Sequence, residues 1–301
     1  MAKSKPFYYG GQAVIEGVMM RGQEHVAIAV RRPDGELDIT SHPLASIYKG
    51  RLRDTPFIRG IIVLIETLVL GIQSLLHSAQ IASIDEEEEE ISPAMLWGSA
   101  AIGMIFAIAL FFIAPLLLTR YVIDPYIASA LVSNIIEGII RIVFFIVYLK
   151  LISLMSDIKR VFAYHGAEHK VVNAYESGMP LELESVRNYS TAHARCGTSF
   201  LLAVMIIAII VFALLGRPPL WLSILSRIVL LPVIASIGYE FIRFSGAHGN
   251  NSLVRVFLSP GLALQSLTTR EPDDSQIEAA LLALRTVIEA DKGEQLNLDA
   301  A

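Results

Sequence analysis

The sequence predicts a mainly α, polytopic helical membrane protein with about four transmembrane helices, a small amino-terminal β-hairpin region and cytoplasmic helices. Three observations predict it. Of the 301 residues, 54% are hydrophobic and only 18% are charged, a balance too apolar for an ordinary soluble domain. Four apolar runs are long enough, at ~1.5 Å per residue, to cross a ~30 Å hydrocarbon core. The polar residues fall mostly near the ends of those runs.

Residues 1–57 form the amino-terminal region. "YYGGQAVIEGVMMRG" carries glycines at 10, 11, 17 and 22, which suit tight turns or a close backbone approach, and equally a flexible lead-in. In "HVAIAVRRPDGELDIT" two short apolar runs flank a "PDG" turn signal, which predicts a β-hairpin. Gly-Gly, Glu16 and Arg21 interrupt the first apolar residues, so no cleavable signal peptide is read and the start is expected to be retained.

Segment 58–84 is set apart from the spans. Arg59, Glu66, Gln73 and His77 lie within 58–78, a polarity that suits a re-entrant or interfacial helix, so four spans are preferred to five. An acidic linker follows at 85–94, with "DEEEEE" at 85–90 read as solvated chain. The first transmembrane pair occupies 95–154, as runs at 95–118 and 134–154. Glu137 and Arg141, four apart in the second run, can pair with each other. A polar segment, 155–199, bears His, Glu and Cys residues. The second transmembrane hairpin, 200–244, is closed by the short connector "RPP". The region 245–301 reads as a membrane-edge helix, a polar break and an amphipathic helix with Ile277, Leu281, Leu284 and Ile288 on one face, expected to pack on the cytoplasmic amino-terminal hairpin or on a partner.

Orientation follows from charge. Lys3, Lys5, Arg21, Arg31, Arg32, Lys49, Arg51 and Arg53 precede the first helix, whereas the 119–133 and 216–219 connectors hold one arginine each. The amino-terminal side is therefore cytoplasmic. Four spans then put both termini, 155–199 and everything after 244 on that side. Three histidine-bearing stretches, 164–176, 190–199 and 245–251, thus emerge together at the membrane edge.

The stretch "YHGAEHKVVNAYESG" holds the pattern His-x-x-Glu-His, an inverted zincin arrangement in which two imidazoles four apart on one helical face hold Zn²⁺ and the carboxylate acts as base. His165 and His169 are the expected ligands and Glu168 the expected base. Glu176 lies on the same face but ~10.5 Å further along the axis, too far to share the ion while the helix continues. A third ligand must come from elsewhere: "STAHARCGTS" supplies His193 and Cys196, and "SGAHGNNS" supplies His248. Each has a plainer alternative. A histidine at a membrane edge commonly serves as an interfacial hydrogen-bonding group, the reading preferred for His42 and His77, and Cys196 can be a small buried hydrophobe. Arg195, Thr198 and Ser199 can contact an anion or cap the next helix, with capping preferred. One cysteine excludes an intramolecular disulfide.

"GGQAVIEGVMMRG", "YHGAEHKVVNAYE", "HARCGTSFL" and "LSPGLALQSLTTREPDDSQIEAALLAL" resemble the signature blocks of the YqhQ-like family of bacterial membrane proteins, a domain of unknown function described as a predicted metal-dependent enzyme. The resemblance spans about residues 8 to 290. It implies a bacterial inner-membrane location and marks Glu16, His165, Glu168, His169, Glu176, His193, Arg195 and Cys196 as motif positions; it implies no substrate. The leading expectation is a cytoplasmic-facing, membrane-embedded metal-dependent hydrolase, with His165 and His169 binding a divalent ion, zinc foremost, His193 or Cys196 completing the shell, and Glu16 supporting the site or touching substrate. The alternative is a non-enzymatic scaffold or assembly factor with a structural metal or none. Membrane lipid, a second copy or another membrane protein are the expected partners. Transport ranks below both readings. A net charge of −5 without a basic, aromatic-interleaved patch argues against nucleic acid, and no GxxxxGK[ST] or GxGxxG loop indicates nucleotide chemistry.

Overall fold

In the computed structural model, residues 8–49, 53, 55–83, 92–247 and 251–293 are described. The amino-terminal region is a four-stranded antiparallel meander, in the order β1 (Gly10–Val14), β2 (Gly17–Arg21), β3 (His25–Arg31) and β4 (Leu37–Pro43). The expected hairpin is β3–β4, turned at Gly35 with φ 91°. The glycine-rich lead-in is itself a second hairpin: β1 and β2 pair from Gly10 with Arg21 to Val14 with Gly17. Its glycines break the apolar alternation that would have marked two strands.

Because side chains alternate across a strand, the sheet has two apolar faces. Val18, Met20, Ala27 and Ala29 point one way, into the main core. Val14, Met19, Val26, Ile28 and Val30 point the other way. The first face is covered by α5 (Ser156–Glu176) and α10 (Asp274–Lys292). Helix α10 is the expected amphipathic helix. Ile277, Leu281 and Leu284 are buried, Asp273 and Gln276 form a capping box, and Gly293 ends the helix in a left-handed conformation. Its place is on the amino-terminal sheet.

The second sheet face is covered by α1 (Ile58–Ala82), through Leu70, Ile81 and Ala82. Polar groups of α1 also turn inward: Glu66 receives Arg21 at 2.9 Å and Arg53 at 2.5 Å, and Ser78 Oγ accepts the Ile15 N–H. Its apolar residues Ile65, Leu68, Val69 and Leu75 face outward and are exposed. The start of α1 reaches the bundle, where Arg59 pairs with Glu240. The segment set apart as re-entrant or interfacial is therefore one unbroken 25-residue helix.

The remaining helices are α2 (Pro93–Ile108), α3 (Ala114–Leu118), α4 (Ala130–Ile152), α6 (Leu183–Val186), α7 (Gly197–Leu214), α8 (Leu220–Ala247) and α9 (Ser252–Thr268). One π-helical stretch, Ala109–Ile113, joins α2 to α3, and a second, Thr119–Ile123, extends α3, making one long rod. Four helices are long and apolar enough to cross a membrane: Ile58–Ala82, Ala94–Ile123, Gly197–Leu214 and Leu220–Ser245. Their outward surface is apolar, as at Ile102, Ile105, Ile228 and Val229, each more than half exposed, which is compatible with a membrane protein. Helix α4, of 23 residues, packs along α7 and buries Glu137 and Arg141. The "DEEEEE" linker lies outside the described residues.

Candidate metal centre

Helix α5 continues unbroken from Ser156 to Glu176 and ends before Gly178, whose φ is 71°. Residues 165, 168 and 169 therefore share one helical turn, and the His165 and His169 rings lie 4.4 Å apart. The third group arrives from α7. Cys196 is the N-cap of that helix, its Sγ accepting the Thr198 N–H at 3.4 Å and lying 3.4 Å from His165 Nε2. One ligand atom from each of His165, His169 and Cys196 falls within 4.8 Å of the others.

The hydrogen bonds behind the imidazoles give this trio its chemical meaning. His165 Nδ1 lies 2.8 Å from the Thr268 carbonyl, and His169 Nδ1 lies 2.6 Å from the Thr191 carbonyl. A carbonyl oxygen only accepts, so each Nδ1 carries a proton, and Nε2 is the ring nitrogen left to face a metal ion. Orienting both rings through Nδ1–H is the support that histidine metal ligands ordinarily have. Two such nitrogens and a cysteine sulfur at a helix N-terminus suit Zn²⁺ or a similar ion.

Glu168 is 5% exposed, receives the Gly11 N–H on one oxygen at 3.0 Å and places the other 3.5 Å from His169 Nε2. It borders the trio without belonging to it, a position for a proton acceptor. His193 is buried beside it, its ring 5.7 Å from that of His169, but its Nε2 turns toward Glu176 at 3.5 Å. Burial lowers the His193 pKa, against the charge of Glu168, which raises it. Glu176 also pairs with Arg195, whose guanidinium covers the Tyr8 ring at 4.0 Å. Arg195 and Glu176 thus close one side of the site rather than supply ligands. Glu16, at the β1–β2 turn with φ 51°, pairs with Arg160 and lies 3.5 Å from the Tyr164 hydroxyl. The sheet touches Glu168 through Gly11 instead. His248 lies outside the described residues.

Several supporting groups carry no side-chain signal. The Thr268 and Thr191 carbonyls are main chain. Gly166 was legible as a residue inside "YHGAEH", yet its purpose is tertiary: a Cβ there would sit 2.0 Å from the Arg270 carbonyl oxygen, so only glycine lets the chain after α9 lie against α5. Gln265 accepts the His193 N–H at 2.9 Å and donates to the His193 carbonyl and the Ser199 hydroxyl, each at 2.8 Å. That clamp fixes the loop that delivers Cys196.

Comparison with known proteins gives a family without an activity. Residues 55–290 match the family described as protein of unknown function (DUF1385). The uncharacterized protein YqhQ of Bacillus subtilis (strain 168) is 35% identical over 294 residues, covering 93% of this chain and 92% of the relative. No solved structure matches.

Proposed function

The chain belongs to the DUF1385 family, and we propose that it is a membrane-embedded, metal-dependent hydrolase whose site faces the cytoplasm at the membrane edge. The observation that carries this reading is the pair of Nδ1–H bonds to main-chain carbonyls, which leave the Nε2 atoms of His165 and His169 as ligands beside Cys196. Among the described residues three protein donors form the mutual set, which supports an open coordination position and hence catalysis over a purely structural ion. A divalent ion held there would supply Lewis acidity toward a substrate carbonyl or phosphoryl group. Glu168 is placed to accept a proton from the attacking water, while Arg195 and Glu176 hold each other and the neighbouring wall. The substrate class follows only from position: a peptide or lipid-linked ester that reaches the membrane edge.

The orientation has independent support. The sheet packs against both α5 and α10, so amino-terminal, central and carboxy-terminal segments share one side of the bundle. Helix α1 lies along the sheet from Glu66 to Ala82 with its apolar row outward. We read the part of α1 that covers the sheet as resting at the bilayer surface, with its first turns against α8. The Lys/Arg excess before α1 supports reading this side as cytoplasmic, in a bacterial inner membrane.

The test is cobalt substitution of the detergent-purified full chain, with elemental mass spectrometry before and after. The reading expects about one ion per chain, a thiolate-to-cobalt absorption lost in Cys196→Ser, and loss of the ion in His165→Ala/His169→Ala. Glu168→Gln should retain the ion. Folded wild type that takes up no ion after controlled reloading would refute the metal centre, and a closed four-ligand spectrum would favour the scaffold.

A further inference from the structure

A second polar site lies at the other end of the bundle, ~24 Å from Cys196 along the 18-residue α7. There the end of the α2–α3 rod, the start of α4, the end of α7 and the start of α8 enclose a pocket of about 380 Å³, its open mouth included. The reading of these helices as membrane-embedded makes its charge unusual.

Glu137 of α4 stands between two guanidiniums, Arg141 at 2.7 Å and Arg227 of α8 at 2.5 Å, and all three side chains are at most 6% exposed. Nearer the mouth, Asp124 stands between Arg217 at 3.2 Å and Arg120 at 3.8 Å. Each carboxylate is thus shared by two arginines, leaving an excess of positive charge in both clusters. Near the mouth Arg120 and Arg217 are partly exposed, whereas in the buried Glu137 cluster the excess lies away from water, which is costly and requires a partner. The structure solvates part of it. Pro115 has no N–H to offer the Phe111 carbonyl one turn back, and the Arg141 Nε takes that acceptor at 3.0 Å. The Phe212 ring lies 5.6 Å from Arg141 and 4.9 Å from Arg227.

Two donors in the pocket wall find nothing. Thr119, 3% exposed, has its hydroxyl without a hydrogen-bond partner, and the buried Nε of Arg217 is equally unsatisfied. Thr119 opens one of the π-helical stretches, a local widening often found where a helix serves a ligand. Buried donors without partners beside an arginine excess specify an acceptor carrying negative charge. We propose that this pocket binds a phosphate-type anion, with Arg217 and Thr119 donating to it and the Glu137 and Asp124 clusters fixing the arginines in place.

The probe anion is inorganic phosphate, titrated calorimetrically into the full chain in a maltoside micelle, which brings no phosphate of its own. A parallel titration uses dioctanoyl phosphatidylglycerol. The expected result is saturable binding of one or both, weakened about tenfold or more in Arg217→Gln, the loss of a hydrogen bond to a charged group. Thr119→Val, which preserves shape, should weaken it severalfold with unchanged thermal unfolding, and decides alone if Arg217→Gln does not fold. Phosphate binding without lipid binding assigns the free anion, and mutual competition shows one site that takes either through its phosphate. Lipid binding without phosphate binding assigns a headgroup. Absence of saturable binding by either, or wild-type affinity in both variants, overturns the proposal. Metal content is read on the same samples, so a failure here is distinguishable from a failure of the cytoplasmic site.

Discussion

Replacing Gly166 by alanine tests whether the proposed metal centre depends on the contact between α5 and the chain after α9. The added Cβ would lie 2.0 Å from the Arg270 carbonyl oxygen, where ordinary contact needs roughly 3.4 Å, so the two segments must separate by more than 1 Å. Two hydrogen bonds span that contact: Arg270 N–H to the Phe162 carbonyl, and His165 Nδ1–H to Thr268, both at 2.8 Å. Overpacking costs about 1–3 kcal/mol, and each bond about 1 kcal/mol. The variant should therefore lose about 3–5 kcal/mol in denaturant or heat unfolding. Freed of its carbonyl, His165 also loses its fixed ring orientation, a change that lowers metal affinity about 10- to 100-fold. Competition with a chelator of known affinity measures the second effect on the fraction that remains folded. A Gly166→Ala protein with wild-type stability and wild-type metal affinity would refute the argument that this glycine builds the site.

Cys196→Ser should keep the helix cap, because the hydroxyl can accept the Thr198 N–H in place of sulfur; chelator competition should nonetheless show weaker metal binding. Glu137→Gln leaves Arg141 and Arg227 buried without their shared carboxylate, and should cost about 3–5 kcal/mol by unfolding in mixed micelles. Asp273→Ala removes the α10 cap and should cost about 1 kcal/mol. Burial raises the Asp273 pKa, but hydrogen bonds from Ser275 and Gln276 and the charge of Arg160 outweigh it and hold the pKa below its ordinary value. A depressed carboxylate stabilises the fold above its unfolded pKa, and that contribution is lost as pH falls through the folded value. Asp273→Asn, which keeps a capping oxygen, should flatten the acid arm of the stability profile below about pH 4.

Much of the fold was legible because long apolar runs and helix-end signals act locally. The β3–β4 hairpin followed from a proline-glycine turn between apolar runs, and the last helix from one apolar face ending before Gly293. The lead-in hairpin was harder, since Gly10, Gly11 and Gly17 have no side chains to alternate. The amino-terminal hairpin was one of the two partners expected for α10, and the helix lies on it. Its apolar face fits any apolar surface, and only tertiary structure shows Ala27 and Ala29 of the sheet leaving room for it.

The site divides along the same line. That His165, Glu168 and His169 share a face was legible because three- and four-residue spacings on a helix imply it, whereas the arrival of Cys196 beside them depends on tertiary structure. Between Cys196 and His193 the spacing could not choose. The choice depends on which way a loop side chain turns, and Gln265 decides it by clamping both main-chain groups of His193, while the imidazole is drawn toward Glu176. The paired reading of Glu137 with Arg141 was correct as far as it went. It could not include Arg227, 90 residues away, whose arrival turns a neutral pair into a site with one positive charge to spare. A salt bridge read within one helix is self-sufficient, whereas the same bridge with a third member from another helix carries a net charge, which is the ground on which the anion site is proposed.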